Sequence, residues 1–279
     1  MMKRGFTLIE VLVTLAIISI LAGMIVPAAW KTWENQEVQA TKDRLNALKA
    51  AMVGDRNLQQ NGIRTSYGFV GDVGELPFGA ATSLGGLKYL IANPAPAYPN
   101  WNGPYLSGFD PTTYAQDAWG RRFSYTVQNS LDGFANRHLS GEIRSAGPDG
   151  IMGNSDDIRV EISGTETAPT YRMQGNIVYP TSGTYYAAIT LRFRDPYRGG
   201  ETNSSPTCIQ VFPNFTSVVR DAGAPISLPI GKSIITTRLS TKNDCSDTVG
   251  NSTIDYFVSD NISRLLVNLP VTPIPPATP

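Results

Sequence analysis

The residues best suited to chemistry in this chain are oxygens, gathered in EIRSAGPDGIMGNSDDIRVEI, Glu142 to Ile162. Between Gly147 and Asp157 lie three glycines, three aspartates and one asparagine, with strand-like Ile143 before and Ile158, Val160 and Ile162 after. Calcium takes about six to eight hard oxygens, mixed from carboxylates and backbone carbonyls. Glycine-rich backbone lets such carbonyls converge on one point. The spacing is not that of an EF-hand, which needs D-x-[DN]-x-[DN]-G and a distal Glu. Two readings stand at this level: a calcium loop, or a solvated Gly-Asp turn without an ion.

Other chemistry is sparse. The single histidine, His138, has no Ser or Cys nucleophile context and reads as a surface or packing residue. The sequence has no G-x-S-x-G, P-loop, dinucleotide fingerprint or H-E-x-x-H, so an enzyme is not expected. Formal net charge is zero and 16% of residues are charged, which argues against a nucleic-acid partner. The only two cysteines, Cys208 and Cys245, are expected to form one disulfide if their region faces an oxidising space.

A second candidate lies at the amino end, in KRGFTLIEVLVTLAIISILAGMIVP, Lys3 to Pro27. Lys3 and Arg4 precede the small residue Gly5. From Val11 to Trp30 no charge interrupts about 20 residues, the length that spans a bilayer core. The leading basic residues should stay cytoplasmic and send the rest outward. A secretory signal would place small residues after the apolar run rather than within it. A plain anchor leaves Glu10 unexplained, because a carboxylate in the apolar layer costs about 2.5–3.5 kcal/mol. Cleavage after Gly5 would explain it: Phe6 gains a free amine, and Glu10 pairs with that amine on a neighbouring subunit.

The stretch G-F-T-L-I-E-V-L-V-T-L-A-I-I-S-I-L-A resembles the N-terminal motif of type IV pilins and type II secretion pseudopilins. That resemblance implies cleavage after Gly5 by a prepilin peptidase, methylation of Phe6, and assembly through Glu10, with Pro27 at the family's helix kink. Further on, D-x-G-x-x-P and G-L-x-x-L within Gly71–Pro94 are similar to the major pseudopilin. So are Gly103-Pro104-Tyr105-Leu106 and Asp117-Ala118-Trp119-Gly120, although the family usually has Pro at Ala118 and a shorter spacing. The oxygen-rich loop resembles that protein's calcium loop. This assigns the early and late ligands to Asp149 and Asp157, with Ser145 and carbonyls near Ala146 as further candidates and Asp156 and Asn154 as substitutes. The implied partners are other copies of the chain, the prepilin peptidase, an inner-membrane assembly platform and minor pseudopilins. The implied location is the inner membrane, single-pass with the C-terminus periplasmic, before assembly, and a periplasmic or extracellular filament afterwards.

Certain elements must position these residues. The expected fold is α+β. A leader (1–5) precedes a helix over 6–62, with Gly54 and Asn61-Gly62 as the two candidate end points, a membrane and filament part to 30 and an amphipathic part carrying Val38, Leu45, Leu48 and Met52 at helical spacing. A pseudopilin globular domain (63–162) follows, with the Trp119-Gly120 turn leading into an alternating strand through Phe123, Tyr125 and Val127. A linker is expected over 163–175, then a β-sandwich-like domain over 176–270. Its expected strands are Asn176–Tyr179, Thr184–Phe193, Thr207–Phe212, Ser217–Arg220, Ile226–Leu228, Lys232–Leu239, Thr253–Val258 and Arg264–Leu269. A Pro-rich tail (271–279) should stay out of any sheet as polyproline II.

The expected function is structural: a subunit of a type II secretion pseudopilus that pushes proteins outward. The alternatives are a surface pilin that displays the extra β domain, or an anchored module whose β domain binds an exoprotein or surface ligand.

Overall fold

The computed structural model describes residues 7–61, 63–79, 85–93, 97–108, 110, 112–131, 136–178, 184–196, 200–203, 207–211, 216–219, 226–258, 264–270 and 272–273. Helix α1 (Leu8–Val53) runs 46 residues, about 69 Å at 1.5 Å per residue. Its two halves differ in what they touch. Every residue from Leu8 to Val26 is exposed, whereas Thr41, Leu45, Leu48, Met52 and Val53 are buried against the globular part. The expected amphipathic stripe is therefore present, but the helix stops nine residues short of position 62. Gly54 ends it at φ +79°, where a β-carbon would stand 2.2 Å from the Ser66 carbonyl oxygen, so the turn requires glycine. Asn61, at φ +53°, instead lies between the short paired strands β1 (Gln59–Gln60) and β2 (Ile63–Arg64).

A short helix that the sequence reading missed, α2 (Gly68–Val73), follows. It buries Phe69, Val70 and Val73 and ends on left-handed Gly74. The G-L-x-x-L segment is a 3-10 turn, Leu87–Leu90. Aromatic rings close the core here: Phe69 meets Tyr98 edge-on at 5.1 Å and Tyr105 at 5.5 Å, and Tyr89 meets Tyr98 at 4.8 Å. Tyr105 and Leu106 of the G-P-Y-L segment both donate backbone N–H groups to the Leu90 carbonyl. Beneath α1 lies an antiparallel sheet of β3 (Ser124–Leu131), β4 (Asn136–Ser145) and β5 (Ile158–Ile162). Phe123, Tyr125 and Ile143 are buried in this core, and Trp119 is half-buried under the Arg121 guanidinium.

The expected linker is not a tether. Residues Gly164–Thr167 form α3, capped by a reciprocal Ser163–Glu166 pair. Glu166 also meets Lys49 at 2.9 Å and Arg56 at 3.3 Å, tying α3 to the end of α1. Strand β6 (Thr170–Val178) starts six residues before the expected domain edge.

The remaining strands are β7 (Tyr185–Asp195), β8 (Gly200–Asn203), β9 (Thr207–Val211), β10 (Thr216–Val219), β11 (Ile226–Ser227), β12 (Gly231–Ser240), β13 (Gly250–Val258), β14 (Arg264–Pro270) and β15 (Thr272–Pro273). Among the described residues they make two sheets. In the six-stranded one, β15-β13-β12-β7-β8 are paired in that order, with β9 also on β7. In the four-stranded one, β6 is flanked by β10 and β11 and pairs β14 in parallel. Along β12, Ser233, Ile235, Thr237 and Leu239 face inward and Arg238 outward, the alternation of a half-buried strand. The start of the Pro-rich tail does pair: Thr272 and Pro273 sit opposite Asn251 and Gly250. Proline lacks a donor but is tolerated at an edge, and β15 is the edge strand. Residues 274–279 lie outside the described residues.

The two parts of the chain are packed together. Gly231, at φ +109°, approaches Gly71 so closely that a β-carbon there would lie 2.6 Å from the Gly71 carbonyl oxygen. Tyr67 stacks on Phe257 at 6.2 Å, and the buried Arg137 guanidinium lies 5.0 Å from the centre of the Phe193 ring. Asn100 donates to the Asp195 carbonyl at 3.0 Å. Burial pulls the Arg137 pKa down to about 10, against the opposing pull of Glu75 and Asp195. His138 is a packing residue: it bonds Glu75 through Nδ1 at 3.0 Å and stacks on Phe78.

Candidate functional site

The exposed half of α1 is the first site. Thr7 caps the helix and Glu10 stands three residues on. The Thr7 hydroxyl accepts from the Glu10 N–H, while the Glu10 carboxylate accepts from the Thr7 N–H and hydroxyl, each at 2.8 Å. This is a capping box, and its S/T-x-x-E signature was open to reading in T-L-I-E. Within one chain, Glu10 thus has a partner. Gly5 and Phe6, the expected processing residues, lie outside the described residues. From Leu8 onward α1 is long and apolar enough to cross a membrane, and its apolar window is nowhere buried by the rest of the chain.

The second site is the loop between β4 and β5. It is rooted by Asp117, a residue the sequence reading placed only in a turn. Asp117 is buried and accepts from the Ser145 hydroxyl at 2.8 Å and the Arg121 N–H at 2.8 Å. Arg121 in turn donates to the Gly147 carbonyl oxygen and packs against Gly150, where a β-carbon would collide with its Nη1. Ser145 is therefore directed into the fold, away from the loop tip.

At the tip, Asp149 accepts from the Ile151 N–H at 2.8 Å and from the Asn154 side-chain amide at 2.7 Å. Asp156 accepts from the Asp149 N–H at 3.3 Å. One oxygen of Asp157 accepts from the Gly153 N–H at 2.8 Å and lies 3.5 Å from Arg144. Its other oxygen, Oδ1, is buried without a hydrogen-bond partner. The structure therefore links Asp149 with Asn154 and with Asp156, and directs Ser145 elsewhere. Among the described residues, no three His, Cys, Asp or Glu side chains come together in the manner of a metal cluster. Carboxylates, a side-chain amide and glycine-freed carbonyls are nevertheless the donors a hard cation takes, and the orphaned Asp157 oxygen is the feature that fits one.

In the C-terminal part, Cys208 of β9 and Cys245, between β12 and β13, form the expected disulfide. It closes 37 residues, worth about 4 kcal/mol in the chain-entropy treatment.

A capped apolar helix, half of it free, laid on a small antiparallel sheet defines the class it resembles: from Leu8 to Ile162 the chain is similar to type IV pilin-like proteins. The profile of the prokaryotic N-terminal methylation motif matches residues 1–26, and that of type II secretion system protein G matches residues 69–162. Within the pilin-like class, this part is similar in kind to protein G, the major pseudopilin. Similar proteins include the type II secretion system core protein G of Escherichia coli K12, 29% identical over 160 residues, which are 56% of this chain and 89% of that protein. The core proteins G of Pseudomonas aeruginosa and Klebsiella pneumoniae are 27% and 28% identical, over 90% and 92% of their lengths. The relatives are thus covered almost whole, while the C-terminal part of this chain goes beyond them. No solved structure matches.

Proposed function

We propose that the chain is a structural subunit of a type II secretion pseudopilus, assembling through α1 once a prepilin peptidase has cut between Gly5 and Phe6. The observation that carries this is the free half of α1: an apolar surface from Leu8 to Val26 that the chain does not cover and that Glu10 heads. A membrane covers it in the stored subunit, and neighbouring copies cover it in the filament. The stored subunit sits in the inner membrane with its folded part periplasmic, as the basic leader directs. An assembly platform and minor pseudopilins are its implied partners, and the role is mechanical rather than catalytic.

Two tests apply. Glu10→Leu removes the acid while improving the fit to lipid. Sheared-filament yield should fall about tenfold or more while membrane insertion persists, and normal yield would overturn the reading. For the loop, Asp149 and Asp157 would hold a calcium ion, with Asn154 and neighbouring carbonyls beside them; Asp156 is the alternative carboxylate. The ion would supply charge compensation for the buried Asp157 oxygen and stiffen the β4–β5 connection. Thermal melting in calcium should exceed melting in chelator, and Asp149→Ala with Asp157→Ala should erase the difference. Equal melts of the parent protein would remove calcium from the account.

A second reading, a pilin on the cell surface, is favoured by the extra C-terminal sheets, which lie beyond the residues matched to the relatives. Locating assembled filaments by surface labelling of intact cells separates the two readings.

A further inference from the structure

Between the apolar run of α1 and its packed half stand two tryptophans that nothing above uses. Trp30 and Trp33 are three positions apart, so they share a helix face. Their rings meet edge-on at 5.7 Å and remain 64% and 57% exposed.

Their place along the helix is specific. From Leu8 to Trp30 the helix rises about 33 Å, close to the roughly 30 Å of a bilayer's hydrocarbon layer. Lys31 is the first charge after Glu10, and exposed Glu34 follows within a turn. An indole is an apolar body with one N–H. That combination suits the headgroup level, where tryptophan gathers and fixes the depth and tilt of a helix.

The pair also faces the folded part. Trp30 and the buried Leu48 are eighteen positions apart, five whole turns, and so lie on one side of α1. The β4–β5 loop descends along that side. Lys49 donates to the Glu161 carbonyl at 2.8 Å. Nearer the apolar end, a cleft is lined by Glu34, Val38 and Lys42 from the helix and by Pro148, Ser155 and Asp156 from the loop. Going back along β5 into the loop therefore leads toward the apolar end of α1. At the loop tip, Ile151 and Met152 are 62% and 44% exposed, in a loop otherwise made of Gly, Pro, Ser, Asn and Asp. Asp149 and Asp156 on either side limit any contact with lipid to the headgroup level.

We propose that Trp30 and Trp33, with Ile151 and Met152, seat the stored subunit on the periplasmic face of its membrane, indoles among the headgroups and loop tip against the same leaflet. The inference rests on the membrane-inserted reading of α1 and adds a fixed depth to it.

The test uses the full-length chain in vesicles of phosphatidylethanolamine and phosphatidylglycerol. Some vesicles carry bromine high on the acyl chain, near the headgroup, and others carry it deep, near the bilayer centre. Subtracting the emission of Trp30→Phe with Trp33→Phe from that of the parent isolates the pair from Trp101 and Trp119. Shallow bromine should quench this difference about twice as strongly as deep bromine, or more. Equal or stronger quenching by deep bromine overturns the proposal, and so does water-like emission unmoved by either. Blue-shifted emission that neither quenches also overturns it, and assigns the pair to a contact with a second copy. For the loop, both native cysteines are held in the disulfide, so Met152→Cys offers one free thiol for an environment-sensitive fluorophore. Its emission should shift to the blue on reconstitution and be quenched by nitroxide-labelled headgroups; a water-like signal overturns the seating of the loop. Alkaline carbonate extraction separates this inference from the reading beneath it. A chain that resists extraction with its tryptophans in water loses the seat alone, whereas a chain that is washed off loses the membrane reading of α1 as well.

Discussion

The two parts of the molecule handle apolar surface in opposite ways. The pilin-like part buries a cluster of aromatics under α1 and then leaves the helix residues Leu8 to Val26 uncovered. The C-terminal part turns Ile235, Leu239, Leu191 and Phe193 inward and presents charged Arg192 and Arg238 outward. One is built to be completed by something else, the other to be self-sufficient. Polymerising capacity is therefore concentrated in the first part, and the second must be carried by it. The carrying is rigid: Gly231 on Gly71, Arg137 against Phe193 and Glu166 on Lys49 leave no swinging tether between them.

That contrast can be broken most severely at Arg137. It is fully buried, donates to the Gly74 carbonyl, and feels the charges of Glu75 and Asp195 from the two sides of the junction. Arg137→Ala leaves Glu75 short of a counter-charge, at about 3–5 kcal/mol. Thermal unfolding should show a large loss, and limited proteolysis should open the 163–169 segment. An unchanged cleavage pattern would mean that the two parts are joined in sequence only.

The disulfide comes next. Cys208→Ser with Cys245→Ser should cost about 4 kcal/mol, confined to the C-terminal part. Hydrogen exchange should therefore quicken in β7, β9 and β12 and leave β3 to β5 unchanged. Loosening across both parts would show that the C-terminal sheets also stabilise the pilin-like core.

The smallest effect is expected at Glu166. Burial alone would raise its pKa, but Lys49, the Ser163 N–H and Arg56 outweigh it and hold the carboxyl below its ordinary value of 4.5. Its contribution is therefore fully present above about pH 4.5 and lost as pH falls through the lower folded value. Glu166→Gln should flatten that part of the stability profile, by under about 1 kcal/mol, as for exposed pairs. A mutant profile parallel to the parent's would remove α3 from the junction's electrostatics.

Most of this architecture could be read from the sequence because it is written in periodicity. The stripe Val38, Leu45, Leu48, Met52 located the packed half of α1, and alternation located β12 and, with apolar content, seven other C-terminal strands. What escaped reading depends on tertiary contacts. Strand β8, GETN, has no apolar residue and is held by its backbone pairing to β7 and by the Arg192–Glu201 ion pair at 3.2 Å. Helix α2 is six residues long, too short to show a period, and is held by burial of Phe69 and Val73. The helix end at Gly54 was obscured by Asn61-Gly62, an equally plausible stop further on. At the candidate sites, the residue types around Asp149 and Asp157 were legible, but the diversion of Ser145 to Asp117 was not, since 28 positions separate them. The descent of the β4–β5 loop toward Glu34 was invisible for the same reason: Glu34 and Ser155 are more than a hundred residues apart in the chain.

The reciprocal Thr7–Glu10 cap bears on how a subunit could wait. A bare acid held in lipid would press every idle copy to escape or to pair at once. With one of its two oxygens already occupied by its own helix start, each copy would be stockpiled at a reduced penalty. If Glu10 pairs between copies as proposed, joining a polymer would exchange one set of bonds for another, a step open to reversal.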